Sequence, residues 1–154
     1  MKMFGIAAAS LGLLVLAVTG SPAGGPASRD VIQLSAETVS AAFVKGKPLV
    51  EIENYKVHAS RREAPGQVEV HTQDTDIIHV LTGTATFVTG GTMVGGKNVE
   101  PEEVRGTSID GGQTRELRPG EVVIVPSGTP HWFKQVPAPM TYFVVKVRAV
   151  GAAR

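Results

Sequence analysis

The sequence contains no cysteine. This absence excludes a disulfide framework, a thiol nucleophile, a haem-attachment motif and a lipidated N-terminal cysteine. An excess of charge of one sign is also missing, since 15 basic residues stand against 14 acidic ones. Because there is neither a basic run nor an RNA-type aromatic motif, we predict no nucleic-acid partner and expect a small-molecule ligand instead.

No apolar run in the sequence is long enough for a typical membrane-spanning helix. Residues 1–20 read MKMFGIAAASLGLLVLAVTG, with Lys2 ahead of an apolar run over residues 6–18. A spanning helix needs about 20 apolar residues, so we interpret residues 1–27 as a secretory signal peptide and spacer. An uncleaved N-terminal anchor is the alternative. The prediction is a periplasmic or secreted protein that has no membrane contact once the signal is cleaved.

The remaining residues have the length of one globular domain with one core. A helix is predicted over residues 36–45, because Ser35 can cap its start, Glu37 favours the positive end and Gly46 suits the turn that ends it. Residues 28–49 therefore form an N-terminal helical segment, and the domain proper covers residues 50–148.

Strand patterns dominate that domain. Short runs rich in β-branched and aromatic residues alternate with glycine and proline turns, which predicts an all-β sandwich or closed barrel. In the last run, TYFVVKV, we assign Thr141, Phe143, Val145 and Val147 to the interior because they form an apolar alternating face. The glycine-rich residues 90–112 are predicted to be a long irregular loop that acts as a lid over a binding site.

One stretch, GEVVIVPSGTPHWF over residues 120–133, has a specific spacing. Gly120, five residues, Pro126, one residue, Gly128, two residues and His131 follow one another in that order. This spacing resembles the second sequence motif of the cupins, with Gln135 at the position where the family pattern has asparagine.

A second stretch, EVHTQDTDIIHVLTG, resembles the first cupin motif with two acidic substitutions. Glu69 takes the place of the first histidine, His71 matches the second, Asp76 takes the place of the glutamate and Gly83 closes the motif. The leading glycine is displaced, and Gly66 is the nearest candidate. The resemblance covers residues 50–148 and implies a single-domain cupin jelly-roll β-barrel.

The same resemblance implies a metal site formed by His71, His131, Asp76 and Glu69. Alternation along strands agrees with it, because Glu69 and His71 share one face, and a turn at residues 73–75 would bring Asp76 back. These donors suit a divalent iron, manganese, zinc or nickel ion. The alternatives are that Asp76 is only a turn or strand-edge residue, and that Glu69 binds the ligand or faces solvent.

Further positions follow from the same alternation of side chains. Phe133, Gln135 and Ile78 are the candidate residues of the substrate pocket, whereas His79 points to the opposite face and is rejected as a metal ligand. Trp132 is expected on the outer face of the barrel or in a subunit contact.

The resemblance implies several functions. A metal-dependent dioxygenase or isomerase is the first enzymatic interpretation, and a non-catalytic module that binds a small molecule or a metal is the alternative. A third interpretation treats the ligand positions as relics in a structural barrel. By analogy a homodimer is also expected, with His79 and Trp132 contributing to its contact.

Overall fold

The structure is a computed structural model, and it describes residues 30–148. The predicted signal peptide and spacer therefore lie outside the described residues. The described chain has one helix and thirteen strands: α1 (Ala36–Phe43), β1 (Lys47–Glu51), β2 (Tyr55–Arg62), β3 (Val68–His71), β4 (Asp74–Thr82), β5 (Ala85–Thr89), β6 (Thr92–Val94), β7 (Lys97–Glu100), β8 (Glu103–Gly106), β9 (Ser108–Asp110), β10 (Gln113–Leu117), β11 (Val122–Val125), β12 (His131–Gln135) and β13 (Met140–Arg148).

The strands form two main sheets that face each other. The five-stranded sheet has the order β1-β2-β13-β4-β11, the six-stranded sheet has the order β10-β5-β12-β3-β8-β7, and β6 pairs with β9 in a small third sheet. The core lies between the two main sheets, where Val80, Phe87, Leu117 and Met140 are at most 1% exposed. This jelly-roll sandwich confirms the predicted all-β fold, with its strands in separate sheets instead of one closed sheet.

Helix α1 begins at Ala36, as the sequence predicts, and ends at Phe43, two residues before the predicted end. The Ser35 hydroxyl accepts a hydrogen bond from the Thr38 backbone N–H at 3.2 Å, which satisfies one of the free donors in the first turn. Gly46, just past the helix, has a φ of 71°. The Phe43 ring packs edge-on against Phe143 of β13, with 5.0 Å between the ring centroids. The helix thereby covers part of the outer face of the five-stranded sheet.

The predicted facing of β13 is wrong. Met140, Tyr142 and Val144 are buried in the core, whereas Phe143 points outwards to the helix and Val147 is 40% exposed. The pattern misleads because β13 is a central strand with apolar side chains on both faces. The more apolar face lies outside, and the inner face ends in the charged residues Lys146 and Arg148.

The predicted irregular loop over residues 90–112 is also wrong. This region contains β6, β7, β8 and β9. Its glycines with positive φ lie in the turns before β6, between β6 and β7, and after β9. Gly106 belongs to β8 and has another reason to be glycine: a Cβ there would lie 2.5 Å from Met93 Cγ and 2.7 Å from the Val94 carbonyl oxygen. Since β8 pairs with β3, the region extends the six-stranded sheet beside Glu69 and His71. Its role as a lid stays a prediction.

Candidate metal centre

Two neighbouring strands of the six-stranded sheet carry three of the predicted ligands. Glu69 and His71 alternate with Val70 on β3, so both side chains point to the same face. His131 is the first residue of β12 and lies directly opposite Glu69 in the pairing of the two strands. The backbone therefore brings the three side chains together on one sheet.

The donor atoms of these three side chains converge. Glu69 Oε2 lies 3.8 Å from both His71 Nε2 and His131 Nε2, and one potential ligand atom from each residue lies within 4.8 Å of the other two. Two atoms bound to one ion at about 2.1 Å would be about 3.0–3.5 Å apart. The observed separations are slightly longer, and the flexible Glu69 side chain can close the difference.

The orientation of His131 is set by its backbone surroundings. Its Nδ1 lies 3.1 Å from the Thr129 carbonyl oxygen, to which the N–H form of that atom donates a hydrogen bond. This tautomer leaves the Nε2 lone pair facing the carboxylates, the arrangement typical of metal-binding histidines. The turn before β12 is also hydrogen-bonded to β3, the strand that carries His71, because the Gly128 N–H donates to the His71 carbonyl at 2.8 Å.

Asp76 reaches the same place from the five-stranded sheet. Its Oδ2 lies 3.5 Å from His71 Nε2 and 3.9 Å from His131 Nε2. Asp76 and His131, each 3% exposed, are the two buried polar or charged residues within residues 30–148. The structure therefore brings all four predicted ligand residues together, with three from one sheet and Asp76 from the other.

Asp76 has a partner that the sequence did not reveal. Lys146 lies opposite it in the pairing of β13 with β4, and its Nζ is 2.9 Å from each carboxylate oxygen. The two residues are 70 positions apart, so only knowledge of the strand order could have joined them. The sequence offered one signal, the alternation of side chains along β13, which shows that Lys146 shares a face with Tyr142 and Val144. We predicted that this face points outwards, whereas it points inwards.

Burial keeps His71 in the form that binds metals. It lowers the pKa of His71 below the ordinary value of 6.5, Lys146 and His131 lower it further, and Asp76 and Glu69 act in the opposite direction. A neutral imidazole has the free lone pair that a metal ligand needs.

A cavity of about 300 Å³ opens beside His71. It is lined by both Lys56 and Lys146 from the five-stranded sheet and by the acidic turn between β7 and β8. A larger cleft of about 710 Å³ lies between β10 and β11 at the edge of the sandwich, and none of the four ligand residues lines it. We regard the smaller cavity as the one that belongs to the site, because an imidazole lines it.

The three predicted pocket residues lie in different surroundings. Phe133 and Ile78 are 5% and 2% exposed and belong to the core between the sheets, where the Phe133 ring stacks on Tyr142. Gln135 is exposed beyond an irregularity in the pairing of β12 with β5, and its amide oxygen accepts a hydrogen bond from Thr86. Unbroken alternation from His131 fails at that irregularity, and Gln135 lines a separate cavity of about 310 Å³ together with Thr86, away from the cavity beside His71. Its role in a substrate pocket stays a prediction.

The remaining histidines stay away from the centre. His79 is exposed on the outward side of β4, as the alternation predicted. His58 Nε2 lies 3.3 Å from Glu51 Oε1 without forming a hydrogen bond. Trp132 alternates away from His131 as well, and its indole N–H donates to the Gly66 carbonyl at 2.7 Å. Gly66 therefore helps to fix Trp132 on β12 and is not one of the candidate metal ligands.

Comparison with known proteins decides the family. The cupin family model matches residues 26–152. The chain belongs to the cupin family. No curated protein matches it. Among solved structures, a cupin protein from Bacteroides fragilis resembles this chain, with 14% identity and a TM-score of 0.44. The match covers 66% of this chain and 71% of that one.

Two further solved structures resemble this cupin. A protein of Bacillus halodurans has 11% identity and a TM-score of 0.56, and the match covers 80% of this chain and 86% of that one. The DMSP lyase of Ruegeria pomeroyi has 19% identity and a TM-score of 0.48, with 70% of this chain and 48% of the lyase covered. This cupin thus spans about half the length of the lyase. At these identities the likeness shows the fold alone.

The family match spans both stretches that resemble the cupin motifs. The candidate ligands in these stretches lie on β3, β4 and β12. Within residues 30–148, no helix has the length and apolar character needed to cross a membrane.

Proposed function

We propose that this cupin binds a divalent metal ion through Glu69, His71 and His131 and binds a small-molecule ligand beside it. The observation that carries the proposal is the convergence of two imidazoles, His131 buried and His71 partly buried, and one carboxylate, whose potential ligand atoms lie within 4.8 Å of one another. Iron(II), manganese, zinc and nickel all accept such nitrogen and oxygen donors, whereas copper(I) prefers sulfur.

The donor set favours an enzyme that works on the ligand at the metal. Two histidines and one carboxylate are the ligands of many non-haem iron oxygenases, which keep the other coordination positions open. A bound ion would supply Lewis acidity or a place for dioxygen. The protein would contribute the fixed His131 tautomer and the cavity beside His71, which gives a small molecule access. A metal-dependent dioxygenase or isomerase is therefore our first assignment.

A non-catalytic binding module is the second candidate, and the Asp76–Lys146 pair favours it. A proton-transfer catalyst needs an acid or base that is free to change its charge. Asp76 and Lys146 instead contact each other, with Lys146 Nζ 2.9 Å from both carboxylate oxygens, and Glu69 would be occupied as a ligand. Such a protein would bind its small molecule without converting it.

Metal analysis of the purified protein tests the proposal. The chain should be prepared without a histidine tag or chelator and compared with the His71→Ala/His131→Ala double variant by elemental analysis. We expect close to one ion per chain in the wild type and at least a tenfold loss in the folded double variant. His79→Ala is the matched control, because it removes an exposed histidine from the same domain. No metal in the wild type, even after reconstitution, would refute the site.

An enzyme and a non-catalytic binding module are distinguished by what happens to a bound ligand. If the protein is an enzyme, a ligand found by thermal-shift screening is consumed, and turnover disappears in His71→Ala and His131→Ala. If it is a binding module, the same ligand raises the melting temperature but no product forms. Folded variants without any metal or ligand effect would instead favour a structural barrel.

We also propose that the protein is exported to the periplasm or secreted. The short apolar run behind Lys2 and the absence of cysteine support this location. Fractionation of cells that express the full chain should place the mature protein outside the cytoplasm, and removal of residues 1–27 should retain it inside. Cytoplasmic accumulation of the full chain would contradict export.

A further inference from the structure

A lysine lies inside the candidate metal centre, where it is an unusual residue to find. The side chain of Lys146 is only 16% exposed and points from β13 towards Asp76, whose side chain is 5% exposed. A buried ammonium needs a counter-charge, because the removal of either ion from water is costly. Asp76 supplies that charge with both of its oxygens, so the pair is neutral as a unit.

The distances show which partner holds Asp76. Its two oxygens lie 2.9 Å from Lys146 Nζ. Its Oδ2 is 3.5 Å from His71 Nε2, about as near as the Glu69 carboxylate at 3.8 Å, so the ammonium contact and not the distance to the imidazoles distinguishes Asp76 from Glu69. An ammonium that contacts both oxygens withdraws electron density from them. It would also repel a divalent ion that approached the same carboxylate.

Glu69 is in the opposite situation. Within residues 30–148, no lysine or arginine forms an ion pair with its carboxylate, because Arg105, directly opposite on β8, pairs with Glu103 and acts on Glu69 only through its charge. The ion-pair partners of Glu69 are the imidazoles His71 and His131, each at 3.8 Å. The site therefore contains one carboxylate free to bind a cation and one that already has a cation of its own.

We propose that Lys146 is a positioning residue that keeps Asp76 out of the coordination sphere, so that a bound ion has three protein ligands and not four. This inference rests on the proposed metal site and specifies its coordination. A three-ligand site leaves more positions for solvent and for a small oxygen-donor molecule. Lys146 would then determine how many coordination positions of the ion stay available to solvent, without contacting the ion itself.

The test replaces the pair by a neutral one of similar shape. Mn²⁺ and Zn²⁺ affinities would be measured for the wild type, Lys146→Met, and the Lys146→Met/Asp76→Asn double variant. Water-proton relaxation of the Mn²⁺ forms would count the exchangeable positions. We expect Lys146→Met to bind at least tenfold more tightly and to lose exchangeable water, because the freed Asp76 becomes a ligand. The double variant should return to within about threefold of the wild type, with its water count restored.

Two controls separate coordination from charge and folding. Lys56→Met removes the lysine directly across from Lys146 in the β2–β13 pairing, so a simple effect of positive charge would appear there too. Circular dichroism and thermal melts show whether each variant folds. Should Lys146→Met fold only with metal, the double variant, which contains no unpaired buried charge, decides the question alone.

The outcomes distinguish this inference from the function on which it rests. If the double variant loses affinity as severely as His71→Ala, Asp76 is already a ligand and the inference is wrong while the metal site stands. Unchanged affinity and water count in Lys146→Met would also overturn it. If no variant and no wild-type sample binds either ion, the proposed metal site fails, and the role of Lys146 fails with it.

Discussion

At the scale of single residues, the centre is defined by how buried polar groups are satisfied. A buried polar group without a partner is costly, and each of the two found here has one: Asp76 has Lys146, and His131 has the Thr129 carbonyl. The histidines were predictable because a local motif fixes their spacing. Lys146 was not, because its partner belongs to a strand 70 residues earlier.

Titration of the partly buried His58 and His71 should be visible in the stability of the metal-free protein. Burial is the main cause that lowers the pKa of both His71 and His58 below 6.5. Above that value both imidazoles are neutral in the folded and unfolded states. As the pH falls below 6.5, the unfolded chain takes up protons first. We therefore expect the free energy of unfolding to decrease as the pH falls through the region below 6.5.

Denaturant unfolding at a series of pH values checks this expectation. His58→Gln and His71→Gln should each make the decrease shallower, since each removes one group that titrates differently in the two states. His79→Gln serves as the exposed control. A stability that stays constant or rises as the pH falls from 6.5 would contradict the lowered pKa of these two imidazoles.

At the scale of strands and turns, the sequence predicted much of the fold. Short apolar runs bounded by glycine and proline correspond to β4, β5, β11 and β12. Two errors had physical causes. An apolar face does not show which side is inside when a helix covers the outer side, as on β13. Glycine frequency does not exclude strands when the glycines lie at the turns, as between residues 90 and 112.

Gly83 and Gly128, two of the three motif glycines with positive φ, should differ in their tolerance of a side chain. Gly83 has a φ of 75°, and a Cβ there would lie 2.6 Å from Met140 Cβ and 2.8 Å from the Pro139 carbonyl oxygen. Gly128 has a φ of 77° with open space around it. We expect Gly128→Ala to cost about 1 kcal/mol from backbone strain alone. Gly83→Ala should cost about 3 kcal/mol, because the clash adds to the strain.

Equilibrium unfolding in urea measures both glycine variants under the same conditions. The difference between them is the informative quantity, since backbone strain is common to both. Equal costs would mean that the β4–β5 turn shifts away from Met140 without loss. A Gly128→Ala variant that keeps its stability but loses metal would show instead that the turn before β12 positions His131.

At the scale of the whole molecule, the outer face of the five-stranded sheet is only partly covered. Helix α1 packs on the Phe143 side, but β11 at the sheet edge leaves Val122 and Ile124 57% and 63% exposed. The exposed His79 lies directly opposite Val122 in the pairing of β11 with β4. Exposed apolar edge strands tend to pair with other chains. We therefore expect a homodimer through this face.

Light scattering at micromolar concentration tests the dimer. Ile124→Lys should convert it to a monomer, because a charge would have to be buried in the contact. Val99→Lys is the matched control, since Val99 is 50% exposed on β7 at the far edge of the other sheet. A wild-type chain with the mass of a monomer would rule out this association.

The placement of three ligand residues on one sheet has a consequence for metal exchange in the folded protein. Glu69, His71 and His131 all belong to β3 and β12, while Lys146 retains Asp76 on the facing sheet. An ion held by the three would therefore not cross-link the two layers. It could leave and be replaced while the sandwich stays folded, so the element found in the protein would depend on the supply of metals where the protein resides.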